Sequence, residues 1–145
     1  MREFFLEEAM IELKIQKALE NNSYKKEIVF CMIAEELKGL CFKSSNIGFI
    51  YLQEAIYMYL STPLHSDIIS EIYSKLAVRF GRIPLSINRS ITKSISDAWN
   101  DKRFNKSNYT LLSTSLSALY APQNAEFIAT IAENVIIRLR KELNL

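Results

Sequence analysis

The chain has few of the residues that interrupt regular structure: among 145 residues there are three glycines and three prolines. With an apolar content of 49% and charge spread along the chain, that scarcity argues against disorder and for an all-helical globule. Cysteine is rarer still. Cys31 and Cys41 stand ten apart, with no C-x-x-C and no neighbouring histidine. Both lie among apolar residues, the setting of buried free thiols in a reducing, cytoplasmic compartment. The only histidine, His65, follows Pro63 and has no partners in sequence reach for a metal site or a triad. The longest apolar run, Ile28 to Ala34, is far short of the ~20 residues of a membrane span, and the opening MREFFLEEAM is too acidic for a signal peptide. No G-x-x-x-x-G-K-[ST] loop occurs, and the pairs Glu7 and Glu8, and Glu35 and Glu36, diverge on a helix rather than converge for acid-base work. Neither catalysis, cofactor, metal nor membrane attachment is expected.

What is present is amphipathic periodicity. A chain of this length buries roughly 70% of the surface its unfolded form exposes, enough for one domain over 1–145 without a disulfide. A first helix is expected from Glu3 to Glu20, with Phe5, Leu6, Ala9, Met10, Leu13 and Ile15 on its apolar side, ending at Asn21, Asn22 and Ser23. A second runs from Lys25 to Leu40 through Ile28, Met32, Ile33 and Leu37, its end weakened by Gly39. A third covers Ile47 to Leu60 with Phe49, Leu52, Ile56 and Tyr59 inward, and Ser61, Thr62 and Pro63 break it. Ser66 to Phe80 and Pro84 to Trp99 follow, then a serine-rich helix from Thr110 to Tyr120 and a last one from about Ala125 to Leu143. The expected fold is all-α, a compact globule of six to seven helices.

The segment Tyr73 to Trp99, YSKLAVRFGRIPLSINRSITKSISDAW, reads as a helix-turn-helix within residues 66–99. Ala77 is small where two helices would cross, Gly81 can take a left-handed turn, and Ile87 anchors the second helix, with Pro84 in its first turn. Ile87, Ile91, Ile95 and Ala98 share one face of that helix, closed by Trp99. The other face carries Ser86, Arg89, Thr92, Lys93 and Ser96. Net charge is only +2, but seven basic residues from Arg79 to Lys106 (among them Arg82, Lys102 and Arg103) face two acidic ones, a local balance of +5. Phosphate contacts require such a patch, so double-stranded DNA is the first partner to consider. The tyrosines fall within helical periodicity, which counts against single-strand stacking platforms.

GFIYLQEAI (Gly48 to Ile56), YSKLAVRF (Tyr73 to Phe80), Ala98 with Trp99, and PQNAEFIATIA (Pro122 to Ala132) together resemble one family. It is the C-terminal effector domain of the stage-zero sporulation master regulator, the response regulator of spore-forming bacteria. The likeness runs over about residues 27–141. It implies a helical DNA-binding domain, residues 25–145 here, that reads short promoter boxes, often as tandem dimers, and regulates transcription through RNA polymerase, at its sigma subunit. Pro84 to Trp99 becomes the recognition helix, and the groove-facing places fall on Ser86, Asn88, Arg89, Thr92 and Lys93, with Arg140 in the last helix. Arg82, Lys102 and Arg103 join them as phosphate or base contacts.

Only Arg89 keeps the family residue. Ser86 and Thr92 stand where the family tends to have arginine, and Asn88 where it has an acid. Hydroxyls bond to almost any base, whereas an amide pairs bidentately with adenine, so a shift toward an adenine-containing site is expected at Asn88. About 25 helical residues replace the family's receiver domain, so direct phosphorylation is not expected. The residues 101–120 barely match the family's polymerase-activating region. The alternative is a protein-interaction module with a decayed DNA face that modulates the full-length regulator.

Overall fold

The computed structural model describes residues 23–62, 68–104 and 120–142, together with Ala9, Met10 and Leu13. Five helices make up these residues: α1 (Ser23–Gly39), α2 (Ile47–Ser61), α3 (Ile68–Phe80), α4 (Pro84–Trp99) and α5 (Asn124–Glu142). None is long and apolar enough to cross a membrane.

The core forms around α2, which packs against each of the other four helices. Its sequence explains this place: it is apolar nearly all round, and Phe49, Tyr51, Leu52, Ala55, Ile56 and Leu60 are buried on more than one side. The helices around it each contribute a stripe. α1 buries Val29, Ile33 and Leu37, α4 buries Ile87, Ile91 and Ile95, and α5 buries Phe127, Ile128, Ile131 and Val135. Polar ties hold the periphery. Arg138 on α5 meets Glu35 at 2.6 Å and Glu36 at 3.4 Å on α1, and Arg79 on α3 meets Glu54 on α2 at 2.8 Å.

One contact is closer than side chains ordinarily permit. A Cβ built on Gly48 would stand 1.8 Å from Ser94 Oγ and 2.6 Å from the Ser90 carbonyl oxygen, so α2 and α4 cross backbone to backbone here. Ala77, the small residue expected at a helix crossing, is buried on α3, and at Gly48 on α2 not even a methyl group fits.

Two helices end in the same motif. At Gly81, with φ 65°, Arg82 N–H donates to the Ala77 carbonyl and Gly81 N–H to that of Val78. After α1, Phe42 N–H donates to Leu37 and Cys41 N–H to Lys38, with Cys41 itself in the left-handed region at φ 70°. Both are Schellman caps, in which one left-handed residue closes the carbonyls of the last turn. The α1 stop is therefore made by Cys41, not by Gly39.

Other expectations are corrected on α1. Met32, Ile33 and Leu37 are buried as expected, but Ile28 is exposed and Val29 takes its inward place at the start of the same stripe. Cys31 is exposed rather than buried, two residues along from Val29 and so on the outer side, and Cys41 is half-buried. Tyr59 on α2 is likewise only half-buried. Met10 and Leu13, assigned to an apolar packing side, are exposed. The rest of the Glu3 to Glu20 helix, residues 110–119 of the Thr110 to Tyr120 helix, and His65 lie outside the described residues. Tyr120 itself is exposed in a bend.

Candidate nucleic-acid interface

The connection between α3 and α4 is built from three residues with separate tasks. Gly81 turns the chain, Arg82 follows it into solvent, and Ile83 is extended at φ −95° and ψ 154°. Pro84 then opens α4, where its missing N–H costs nothing because first-turn donors have no helical partner. The Ile83 carbonyl accepts from Ser86 and Ile87 N–H.

The buried residues Ile87, Ile91, Ser94, Ile95 and Ala98 mark the inner side of α4. At 100° per residue, Arg89 falls in the middle of the opposite arc, flanked by Leu85, Lys93 and Ser96. Arg89 is exposed and forms no ion pair with a described residue. Lys93 is exposed one turn on and pairs with Asp97 at 2.9 Å. Exposed pairs of this kind are worth ~0.3–0.5 kcal/mol, so an incoming phosphate displaces the carboxylate at small cost.

Both ends of α4 add positive charge. Arg82 precedes it, and Lys102 and Arg103 sit exposed in the turn that follows it, where Phe104 folds back onto Trp99 with ring centroids 5.1 Å apart. Sixteen residues separate these ends, about 24 Å of helix. Arg103 is spoken for: its guanidinium meets both carboxylate oxygens of Asp101, at 3.1 and 2.9 Å, and its backbone N–H also donates to Asp101. Those hydrogen bonds lower the Asp101 pKa to about 2, with the positive charges of Arg103 and Lys43 acting in the same direction.

The edge of α4 that turns toward α5 is different. Thr92 Oγ1 donates to the Asn88 carbonyl at 2.8 Å. Asn124, the first residue of α5, brings its Nδ2 to 2.9 Å from Asn88 Oδ1, 2.9 Å from Thr92 Oγ1 and 3.2 Å from the same Asn88 carbonyl. These groups lie at a cleft of about 520 Å³ that Tyr73 and Pro122 also line. The Tyr73 hydroxyl is buried there without a well-formed hydrogen bond. Burial raises its pKa, and the neighbouring Asn124 side chain pulls the other way. Asn124 was not legible as part of the site: an asparagine at a helix start signals a cap, and nothing local announces a contact 36 residues back.

The structure therefore brings Arg82, Ser86, Arg89, Lys93, Lys102 and Arg103 onto or beside α4, with Ser86 half-buried. Asn88 and Thr92 are on it too, but engaged by Asn124. Arg140 lies half-buried sixteen residues along α5 from Asn124, about 24 Å of helix away. Three apolar side chains are exposed around the α3–α4 turn: Val78, Ile83 and Leu85, the first at 86%. Among the described residues no group of three metal-ligating side chains occurs.

The family described as sporulation initiation factor Spo0A C terminal matches residues 33–135. The chain belongs to this family. The matched span holds the last seven residues of α1, all of α2, α3 and α4, and α5 as far as Val135. It thus contains Gly48, the Gly81 turn, the outward arc of α4 and Asn124. For the Spo0A C-terminal family, the match makes this chain a regulatory effector domain by descent.

Proposed function

We propose that this protein is a sequence-specific, DNA-binding transcriptional regulator in which α3, the Gly81 turn and α4 act as a helix-turn-helix. α4 enters the major groove, Arg89 is the principal base reader, and Lys93, Arg82, Lys102, Arg103 and Arg140 support it through phosphates or bases. The observation that carries this reading is Arg89 itself: an exposed guanidinium, free of ion pairs among the described residues, in the middle of the solvent arc of α4 on a family effector scaffold. An arginine so placed suits bidentate contact with guanine O6 and N7, which discriminates by about 1–3 kcal/mol. A second copy on the DNA and the sigma subunit of RNA polymerase are the protein partners this role calls for, and the reading needs no phosphorylation of this chain.

The test is binding of the purified chain to a family-type box and to a scrambled duplex, each titrated with salt. Arg89→Ala is expected to remove the preference for the box, whereas Lys102→Ala weakens both duplexes alike and lowers the salt slope by about 1. Equal losses on both duplexes for Arg89→Ala would contradict its role. One observation favours a second reading, a protein-interaction module that modulates the full-length regulator: Val78, Ile83 and Leu85 place apolar surface at the turn, where phosphates offer it nothing. Failure to bind any duplex at low salt selects that reading.

A further inference from the structure

Asn124 carries more hydrogen-bonding work than a helix start requires. Its Nδ2 has two protons and three acceptors within 3.2 Å, all on α4: Asn88 Oδ1, Thr92 Oγ1 and the Asn88 carbonyl. The carbonyl can only accept, which fixes the nitrogen of Asn124 on that side. Thr92 spends its own proton on the same carbonyl at 2.8 Å, so toward Asn124 its oxygen acts as an acceptor. The network is internally consistent and spans two elements. Its result is that two of the polar side chains next to Arg89 are hydrogen-bonded to the start of α5, Asn88 half-buried and Thr92 at the exposed rim.

We propose that Asn124 is a specificity-determining residue: it holds Asn88 and Thr92 against α5, so that Arg89 reads DNA without them. This rests on the DNA-reading role proposed above. A free asparagine pairs bidentately with adenine through its carbonyl oxygen and its amide together. With Asn88 Oδ1 engaged by Asn124 and the side chain drawn toward α5, that pair does not form. The chain thereby keeps an asparagine on its recognition helix without reading adenine through it. Asn124 touches no base itself; it is a positioning residue.

The experiment is selection of binding sites from randomised duplexes with the full chain and three variants, Asn124→Ala, Asn88→Ala and the double variant, each checked for helical content. Asn124→Ala is expected to gain a preference for adenine, of about fivefold or more, beside the base that Arg89→Ala loses. The double variant lacks the gain, and Asn88→Ala alone selects the same sites as the unaltered protein. A merely structural Asn124 would lower stability without adding a base preference. Asn124→Ala selecting unchanged sites, or Asn88→Ala alone losing a preference, overturns the proposal while leaving DNA reading by Arg89 intact. The Asn88→Ala arm decides the matter even if Asn124→Ala fails to fold. If the unaltered chain enriches no sequence, the DNA-reading role itself fails, and this proposal with it.

Discussion

At Asp101 a single carboxylate answers to three hydrogen bonds from one residue, Arg103. Its folded pKa of about 2 lies below the ordinary 3.8, so the pairing is complete above the normal carboxylate range and is lost only as pH falls through about 2. A carboxyl-detected NMR titration is expected to find Asp101 still ionised at pH 3, and Arg103→Ala should raise its pKa only part of the way toward 3.8, because the backbone N–H of residue 103 still donates to it. The same pairing sets a rank among the cations flanking α4. Lys102 is exposed and ion-paired with no described residue, whereas Arg103 must leave Asp101 before it meets a phosphate. Removing Lys102 should therefore cost more affinity for DNA than removing Arg103.

The element scale is set by how the helices stop. Gly81 and Cys41 occupy the same left-handed capping position, at φ 65° and 70°, with opposite fitness for it. An L side chain in that conformation costs roughly 1–2 kcal/mol, and glycine avoids the cost. Urea denaturation should show Gly81→Ala destabilising by about 1 kcal/mol or more, and Cys41→Gly stabilising by up to about 1 kcal/mol, the half-buried thiol offsetting part of the gain. What the sequence made legible follows the same division. The end of α3 and the start of α4 were readable because glycine and proline act locally. The stop of α1 was not, since a cysteine in a glycine conformation leaves no local sign. That Val29 is buried in place of Ile28 was missed for a different reason: Ile28 to Ala34 is apolar all round, and periodicity alone cannot choose between neighbours at the start of such a run. Asn124 was missed because its partners are distant in the chain and near only in the fold.

At the scale of the whole molecule, α4 is seated by a glycine on its neighbour. Because the Ser90 carbonyl is backbone, a Cβ at position 48 cannot be accommodated by a rotamer change; α4 has to move off α2. Overpacking of this kind costs ~1–3 kcal/mol. Gly48→Ala should lower stability by about that amount, and adding Ser94→Gly should recover only part, since the clash with the Ser90 carbonyl at 2.6 Å persists. Thermal unfolding of the single and double variants measures both. Since α2 touches every other described helix, the loss should appear as one cooperative transition shifted down, not as a detached helix.

The outward arc of α4 also has a meaning in information. Under the proposed function, one guanidinium naming one guanine specifies about two bits, the choice of one base among four. Selecting one address among on the order of 10⁶ competing sites takes about twenty. With Asn88 and Thr92 hydrogen-bonded to Asn124, a single copy of α4 falls far below that count. The remainder has to be summed from duplex shape, phosphate register and molecules bound alongside, so this chain works as one letter of a longer word.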